Sequence, residues 1–259
     1  SPDPALELIA DVDVTWQSAF MLCRDGAHAA IIGRFDRENV EQLGVYPQII
    51  GYDQGIGEHL RAVLAEKASR TIAINYSEND VAADGLSHGM YRSLQNILVD
   101  TPFADRLISA EKIIAALRGR KSPAEVARVR QAIATTEALF DEVEKFARPG
   151  MTQCQIAEFV RGRIDEMGLD YAWPKPFNPI VTCGPDSAVG HAAAGDVVLQ
   201  KGHTLHLDLG IKQNDYCSDI QRMWYVLDDG ETEAPPEVQR AFDVVYGAIK
   251  AGESRLTPG

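Results

Sequence analysis

The amino-acid sequence predicts an α/β protein in which a small α/β domain is followed by a larger α+β domain. Strand-like and helix-like segments alternate over about the first 115 residues, a pattern typical of an α/β layer. Further along, two long amphipathic helices are followed by a mostly β segment at 171–228. We therefore predict two domains, at residues 1–118 and 119–259.

Local signals predict each element of the first domain. Residues 14–35 are expected to form a hairpin that turns at Asp25-Gly26, because Asp-Gly favours hairpin turns. An amphipathic helix is expected at 56–67, a short apolar strand at 70–76 and another helix near 86–98.

Helix-capping signals mark the start of the second domain. Ser122 is followed three residues later by Glu125, which is the pattern of a capping box. The apolar spacing predicts that this helix continues to about Phe146, and Thr152 begins a second helix. The β segment that follows is interrupted by a loop at 183–196, and the stretch after it predicts a final helix.

Composition and charge argue against several classes of function. The 259 residues carry a formal net charge of -13, which disfavours binding to nucleic acid or to an anionic membrane. The sequence has no apolar run of about 18 residues, so no membrane-spanning helix is expected. The first residues lack the basic and apolar regions of a signal peptide. The four cysteines are dispersed, which favours reduced thiols and a cytoplasmic location.

Two aspartates in the second domain are candidates for chemistry. If their hairpin closes at Gln213-Asn214, Asp208 and Asp219 lie directly opposite each other on adjacent strands, where like charges destabilise a sheet. A divalent cation that prefers oxygen ligands would offset this repulsion. The alternatives are that one carboxylate faces solvent, or that Arg222 or Lys212 neutralises the pair.

Three further residues of the second domain are candidates for chemistry. His191 lies in a loop rich in glycine and alanine, which can approach a ligand closely, although a single loop histidine is more often a surface residue. His206 shares a strand face with Asp208 and is placed to act as a third ligand, but the preferred interpretation is a supporting or packing group. Cys183 with His191 would form a nucleophile pair, but no third group that could orient them is identifiable.

Four motifs follow one another from residue 118 onwards: RGRKSPAEVARVRQAI, RPGMT, FNPIVTCGPDSAVGH and LHLDLGIKQNDYCSDIQR. In sequence and in order they resemble the motifs of the creatinase, aminopeptidase P and prolidase family of metallopeptidases, which share the pita-bread fold. The resemblance covers about residues 118–259, and the preceding residues are similar, with weaker motifs, to the family's small N-terminal domain. The resemblance implies a creatinase-like α/β domain followed by the first half of a pita-bread catalytic domain.

The resemblance also implies roles for three residues. Asp208 would chelate one ion of a dinuclear metal centre, Asp219 would bridge the two ions, and His191 would contact the scissile carbonyl. The two divalent ions would be manganese by preference, or cobalt or zinc, and would activate a water molecule. The implied substrate is a small peptide with proline at its second position, and the implied assembly is a homodimer. No other cofactor is expected.

The sequence also departs from the family's pattern. The family completes its metal site with a histidine and two glutamates downstream, whereas no histidine follows Asp219. The chain is therefore expected to end about midway through the pita-bread domain, to hold two of five ligands, to bind metal weakly and to be inactive by itself. The motif after Asp219 reads IQR, where peptidase members commonly have threonine at the second position.

Two other functions occur on the same fold. A metal-free amidinohydrolase of the creatinase kind is less favoured, because such members lose metal ligands, whereas both aspartates are present here. A non-catalytic binding module is less favoured because His191, Asp208 and Asp219 are all retained.

Overall fold

The computed structural model describes residues 3–10, 12–188 and 190–257. The chain divides into two compact units, Ser1–Arg120 and Lys121–Gly259. Helices and sheets are mixed throughout, so the predicted fold class is confirmed. Within the described residues, no helix is both long and apolar enough to cross a lipid bilayer.

Short helices and short strands alternate along the first unit. Its helices are α1 (Leu6–Ile9), α2 (Arg37–Gln42), α3 (Gly57–Lys67), α4 (His88–Leu98) and α5 (Glu111–Gly119), and its strands are β1 (Ala19–Met21), β2 (Ala29–Gly33), β3 (Gln48–Tyr52), β4 (Ile72–Ile74) and β5 (Leu107–Ser109). Strand β2 lies between antiparallel β1 and parallel β3, and β4 pairs with β5 in parallel.

The predicted hairpin and helices of the first unit are present. The hairpin β1–β2 turns through Gly26, whose φ of +80° lies in the region that glycine adopts without strain. Its strands end at Met21 and begin again at Ala29, so the loop is longer than a two-residue turn. Nδ1 of His28 accepts a hydrogen bond from the Cys23 backbone N–H at 3.0 Å. This side-chain hydrogen bond closes the loop, where a two-residue turn would be closed by backbone hydrogen bonds between the strands.

The second unit combines long helices with two small sheets. Its helices are α6 (Pro123–Phe146), α7 (Gln153–Glu166) and α8 (Pro236–Glu253), and its strands are β6 (Asp170–Tyr171), β7 (Ile180–Cys183), β8 (Thr204–Leu209), β9 (Ile211–Gln213), β10 (Tyr216–Cys217) and β11 (Ile220–Tyr225). One sheet has the order β11-β8-β7 and the other β10-β9-β6, all antiparallel.

The core of the second unit lies between one face of β8 and the long helices. Leu205, Leu207 and Leu209 alternate along β8 and are buried in one cluster with residues of α6 and α7, including Leu139 and Ile156. Burying one such side chain contributes about 1.5–3 kcal/mol. This packing fixes which face of β8 is apolar, and it leaves the other face to the polar residues of the same strand.

Helix α8 presents an apolar stripe at the surface. Phe242, Val245, Tyr246 and Ile249 recur at helical spacing, and each is at least half exposed. The rings of Phe242 and Tyr246 stack with centroids 6.1 Å apart.

The capping box predicted for α6 is present, and it has a pH-dependent consequence. The Ser122 hydroxyl accepts from the Glu125 backbone, and the Glu125 carboxylate accepts from the Ser122 backbone and from the Tyr216 hydroxyl. These hydrogen bonds, led by the Ser122 backbone N–H, lower the pKa of Glu125 to about 2. The stabilising contribution of a carboxylate with a lowered pKa is present above its unfolded pKa and is lost as the pH falls towards its folded pKa.

The expected result for Glu125→Gln is therefore a deficit in unfolding free energy that depends on pH. The deficit relative to the wild type should be constant above about pH 5 and should shrink as the pH falls towards 2. Urea titrations at a series of pH values measure it. A deficit that stays the same across this window would contradict the assignment.

Candidate active site

The polar face of β8 carries the candidate residues. Thr204, His206 and Asp208 alternate with the buried leucines of the strand and are half-buried. Because β8 is the central strand of its sheet, this face is flanked by β7 on one side and by β11 on the other. Asp208 lies near the end of β8, next to the hairpin that leads through β9 and β10 to Asp219.

The expected register of this hairpin is wrong. Asp208 lies directly opposite Gln221, not opposite Asp219. The turn is formed by Asn214 and Asp215, whose φ values of 52° and 65° match the type I′ turn, and Gln213 pairs with Tyr216. Asparagine and aspartate tolerate positive φ better than glutamine does, so the turn centre lies one residue later than predicted. Asp219 is consequently diagonal to Asp208 on the same face.

The two carboxylates remain close neighbours in this register. Burial, and next the negative charge of Asp219, raise the pKa of Asp208. Asp208 Oδ2 accepts a hydrogen bond from Gln221 Nε2 at 3.1 Å, while its Oδ1 is buried without a hydrogen-bond partner among the described residues. A buried carboxylate oxygen with no donor is costly, and a bound cation is one of the groups that satisfies it.

The alternative of neutralisation by a nearby cation is not observed. Arg222 pairs with Glu137 at 3.4 Å and Lys212 pairs with Asp215 at 3.6 Å, so both cations are engaged with other carboxylates. The alternative of a solvent-facing acid holds for Asp219, which is exposed. The pair therefore consists of one half-buried and one exposed carboxylate.

Gln221 was not identified from the sequence as part of this site. Its amide links the two polar residues of β8: Nε2 donates to Asp208, and Oε1 lies 3.2 Å from His206 Nε2. The other ring nitrogen of His206 lies 3.3 Å from Thr182 Oγ1. Both nitrogens of His206 are thus engaged, which agrees with a supporting group. Strand alternation from Asp219 is the signal that could have indicated Gln221.

A buried hydroxyl pair holds the chain just before Asp219. Ser218 is 3% exposed, and its Oγ lies 2.7 Å from Thr136 Oγ1 of α6. The same Oγ accepts from the Ile211 backbone at 3.0 Å. Helix α6 therefore fixes the position at which Asp219 leaves β10.

Thr136→Val is expected to lower the unfolding free energy by about 1–2 kcal/mol, because it removes a buried hydroxyl partner while keeping the volume. Chemical denaturation of Thr136→Val, Ser218→Ala and the double variant measures the coupling. The loss of unfolding free energy in the double variant should be smaller than the sum of the losses in the two single variants, because each single variant already removes the hydrogen bond between the two hydroxyls. Losses that simply add would show that the two hydroxyls do not interact.

Cys183 is the last residue of β7, and His191 lies in the loop between β7 and β8. His191 is exposed in this loop. Cys183 is 2% exposed, and burial raises the pKa of its thiol. A buried thiol with a raised pKa is a poor nucleophile, so the structure disfavours the Cys183–His191 pair.

The donor set for a metal ion consists of carboxylates. In the parts of the chain that the structure describes, no group of three or more His, Cys, Asp or Glu side chains is close enough to hold a metal ion. Asp208 and Asp219 supply oxygen donors of the kind that hard divalent cations prefer, and Oδ1 of Asp208 has no hydrogen-bond partner among the described residues. Two carboxylates fit such a cation in donor type, and they are fewer donors than a complete ligand set contains.

Comparison with known proteins identifies relatives among peptidases. The sequence model of metallopeptidase family M24 matches residues 127–259 of this chain. A Bacillus subtilis protein named uncharacterized peptidase YqhT is 25% identical over 242 residues, which cover 93% of this chain and 64% of that protein.

Solved structures extend the likeness to almost the whole chain. An Xaa-Pro dipeptidase from Bacillus anthracis has a TM-score of 0.69 at 18% identity, with 96% of this chain and 64% of that one covered. An X-Pro aminopeptidase from Thermotoga maritima has a TM-score of 0.64 at 20% identity, with 95% and 64% covered. At these identities the likeness shows the fold, which is the pita-bread fold. The chain spans 64% of the length of each of these three proteins.

Proposed function

The chain belongs to metallopeptidase family M24, and from this premise we propose that the protein containing it hydrolyses the bond before proline in small peptides. The observation that carries the proposal is the half-buried carboxylate of Asp208, which lies beside Asp219 with Oδ1 unpartnered among the described residues. In this proposal Asp208 and Asp219 hold divalent metal ions and His191 contacts the scissile carbonyl. The names of the two solved neighbours, an Xaa-Pro dipeptidase and an X-Pro aminopeptidase, support the substrate class.

Each residue contributes through its position and its donor atoms. When bound, a divalent cation supplies Lewis-acid chemistry and lowers the pKa of water. Gln221 donates to Asp208 Oδ2, so the carboxylate is held in one orientation with its second oxygen free for the cation. His191 donates a hydrogen bond to the carbonyl oxygen as negative charge develops there.

The proposed substrate class limits how the scissile bond can be recognised. The nitrogen of an Xaa-Pro bond carries no N–H, so a site for this bond cannot use a hydrogen bond from the scissile nitrogen. Recognition must act on the carbonyl oxygen and on the free amino terminus. A carboxylate site with a hydrogen-bond donor facing the carbonyl meets this requirement.

The metal and the location are proposed on chemical grounds, and the assembly is proposed from the family resemblance. Carboxylate oxygens suit manganese, with cobalt or zinc as alternatives. The four cysteines are free thiols, which supports a location in the reducing environment of the cytoplasm. A homodimer is proposed from the family resemblance, and light scattering coupled to size-exclusion chromatography measures it.

The test is an activity assay of the protein that contains this chain. With manganese present, it should hydrolyse an Xaa-Pro dipeptide, and Asp219→Ala and His191→Ala should each lose at least about 10²-fold in kcat. Hydrolysis that is unchanged in Asp219→Ala would contradict the role of the carboxylate pair. Activity on an amidino substrate that survives a strong chelator would favour the metal-free amidinohydrolase instead.

A further inference from the structure

The loop that carries His191 is anchored on both sides by a single buried side chain. Gln153, the first residue of α7, is 4% exposed. Its Nε2 donates to Ser187 Oγ at 2.7 Å, and its Oε1 accepts from the Gly195 backbone at 3.0 Å. Ser187 and Gly195 lie four residues before and four residues after His191. One amide therefore connects the two flanks of the loop symmetrically about the histidine.

Gln153 is itself held in place by its own helix and by the segment that directly follows the loop. Its backbone N–H donates to the Val197 carbonyl at 3.0 Å, directly after the capping residue Thr152 of α7. The next residue, Cys154, donates its backbone N–H to the Gly195 carbonyl at 3.0 Å and its thiol to the Ala194 carbonyl at 3.2 Å. The rigid start of α7 is thus the support on which the loop rests.

The incoming flank of the loop is tied down in the same way. Ser187 Oγ accepts from the Cys183 backbone at 2.7 Å, in addition to the bond from Gln153. At Gly184 φ is +64°, and an added Cβ would overlap the ring of His203. The loop therefore leaves β7 in one direction and is joined to Gln153 before it reaches His191.

We propose that Gln153 is the positioning residue for His191. It holds Ser187 and Gly195 at a fixed separation, so that the exposed histidine is presented in one place without an ordering step when substrate binds. This inference rests on the proposed function, because it assigns His191 to the scissile carbonyl. Gln153 does not touch substrate, and it acts only through the loop.

The first measurement does not depend on activity. Gln153→Leu keeps the approximate volume of the side chain and removes both hydrogen bonds. Amide hydrogen exchange in residues 190–196 should become about tenfold faster than in the wild type, while exchange in α6 and β8 stays the same. Glu158→Gln, an exposed change on the same helix, is the matched control and should leave the loop unchanged. The inference would be overturned if amide exchange became equally faster in the loop, in α6 and in β8, or if exchange in the loop did not change.

The second measurement separates positioning from simple destabilisation. In the protein that contains this chain, Gln153→Leu should lower kcat on an Xaa-Pro dipeptide by about 10–100-fold with KM changed less than about threefold. In a His191→Ala background the same substitution should have no further effect, because its target is gone. Effects that multiply independently in the double variant would overturn the proposal.

The two measurements also distinguish the failure of this inference from the failure of the proposed function. A wild type that does not hydrolyse the dipeptide, together with faster loop exchange in Gln153→Leu, overturns the proposed function and supports the anchoring of the loop. An active wild type with unchanged loop exchange overturns the anchoring alone. If Gln153→Leu does not fold, Ser187→Ala removes one of the two anchors and is measured in the same way, with the same outcomes expected.

Discussion

In the protein that contains this chain, Asp208→Asn is expected to raise stability in the absence of metal and to remove the stabilisation by manganese that the proposed function predicts. Burial and the charge of Asp219 both disfavour the ionised Asp208 carboxylate, so a neutral amide relieves a repulsion. The unfolding free energy should rise by about 0.5–1 kcal/mol. The gain is this small because Asp208 is only half-buried and solvent screens its repulsion from Asp219. With manganese, the variant should lose the rise in melting temperature that ligand binding gives.

In the protein that contains this chain, the same substitution should lower the proposed peptidase activity by about 10²–10³-fold, the scale on which loss of one electrostatic partner of the reacting centre acts. Thermal unfolding with and without manganese, and kcat on an Xaa-Pro dipeptide, are the measurements. Asp243→Asn removes the same charge on the exposed face of α8 and is the control, for which neither quantity should change. Equal manganese stabilisation of Asp208→Asn and of the wild type would exclude this carboxylate as a metal ligand.

Gly210→Ala is expected to have the largest effect on stability. A Cβ at this position would overlap the Ser218 carbonyl oxygen and the Trp173 ring, and would lie 2.8 Å from the Ala172 side chain. Backbone atoms cannot move aside as a flexible side chain does, so the loss of unfolding free energy should be about 3 kcal/mol or more. The overlap also lies between β8 and β9, and it should displace Asp208 relative to Asp219.

A second glycine gives the matched control for this substitution. Gly162 lies within α7, and a Cβ there would meet nothing within 4 Å. Gly162→Ala should therefore stabilise the protein by about 0.5–1 kcal/mol through helix propensity. Urea unfolding of the two variants should give shifts of opposite sign. A Gly210→Ala variant as stable as the wild type would show that the strands accommodate a side chain at this position.

Local chemistry in the sequence was sufficient to predict the starts of α6 and α7 and the two faces of β8. Ser122 and Glu125 form the expected capping box, and Thr152 caps α7 in the same way. The alternation along β8 correctly separates the buried leucines from the polar face that carries Asp208. These features depend on residues within four positions of each other, which is the range over which capping and side-chain periodicity act.

The hairpin register was predicted wrongly because the segment QND contains two overlapping turn pairs. The tolerance of asparagine and aspartate for positive φ favours the pair Asn214-Asp215, and contacts distant in sequence hold the hairpin in this register. In the structure, Gln131 accepts from Asn214 Nδ2 at 3.1 Å, and Thr135 donates to Gln213 at 2.9 Å. Both partners lie on α6, about 80 residues earlier. Gln153 was missed for the same reason, since Ser187 and Gly195, the partners of its side chain, lie 34 and 42 residues away in the sequence.

The apolar stripe on α8 has a practical consequence for work in solution. The stripe exposes apolar surface to water along two turns of the helix, through Phe242, Val245, Tyr246 and Ile249. An exposed apolar surface of this kind promotes association between molecules. A preparation of residues 1–259 is therefore expected to scatter light increasingly as it is concentrated. Lysine at positions 245 and 249 would break the stripe at exposed sites while keeping good helix formers, and would give a sample suited to the exchange and denaturation measurements described above.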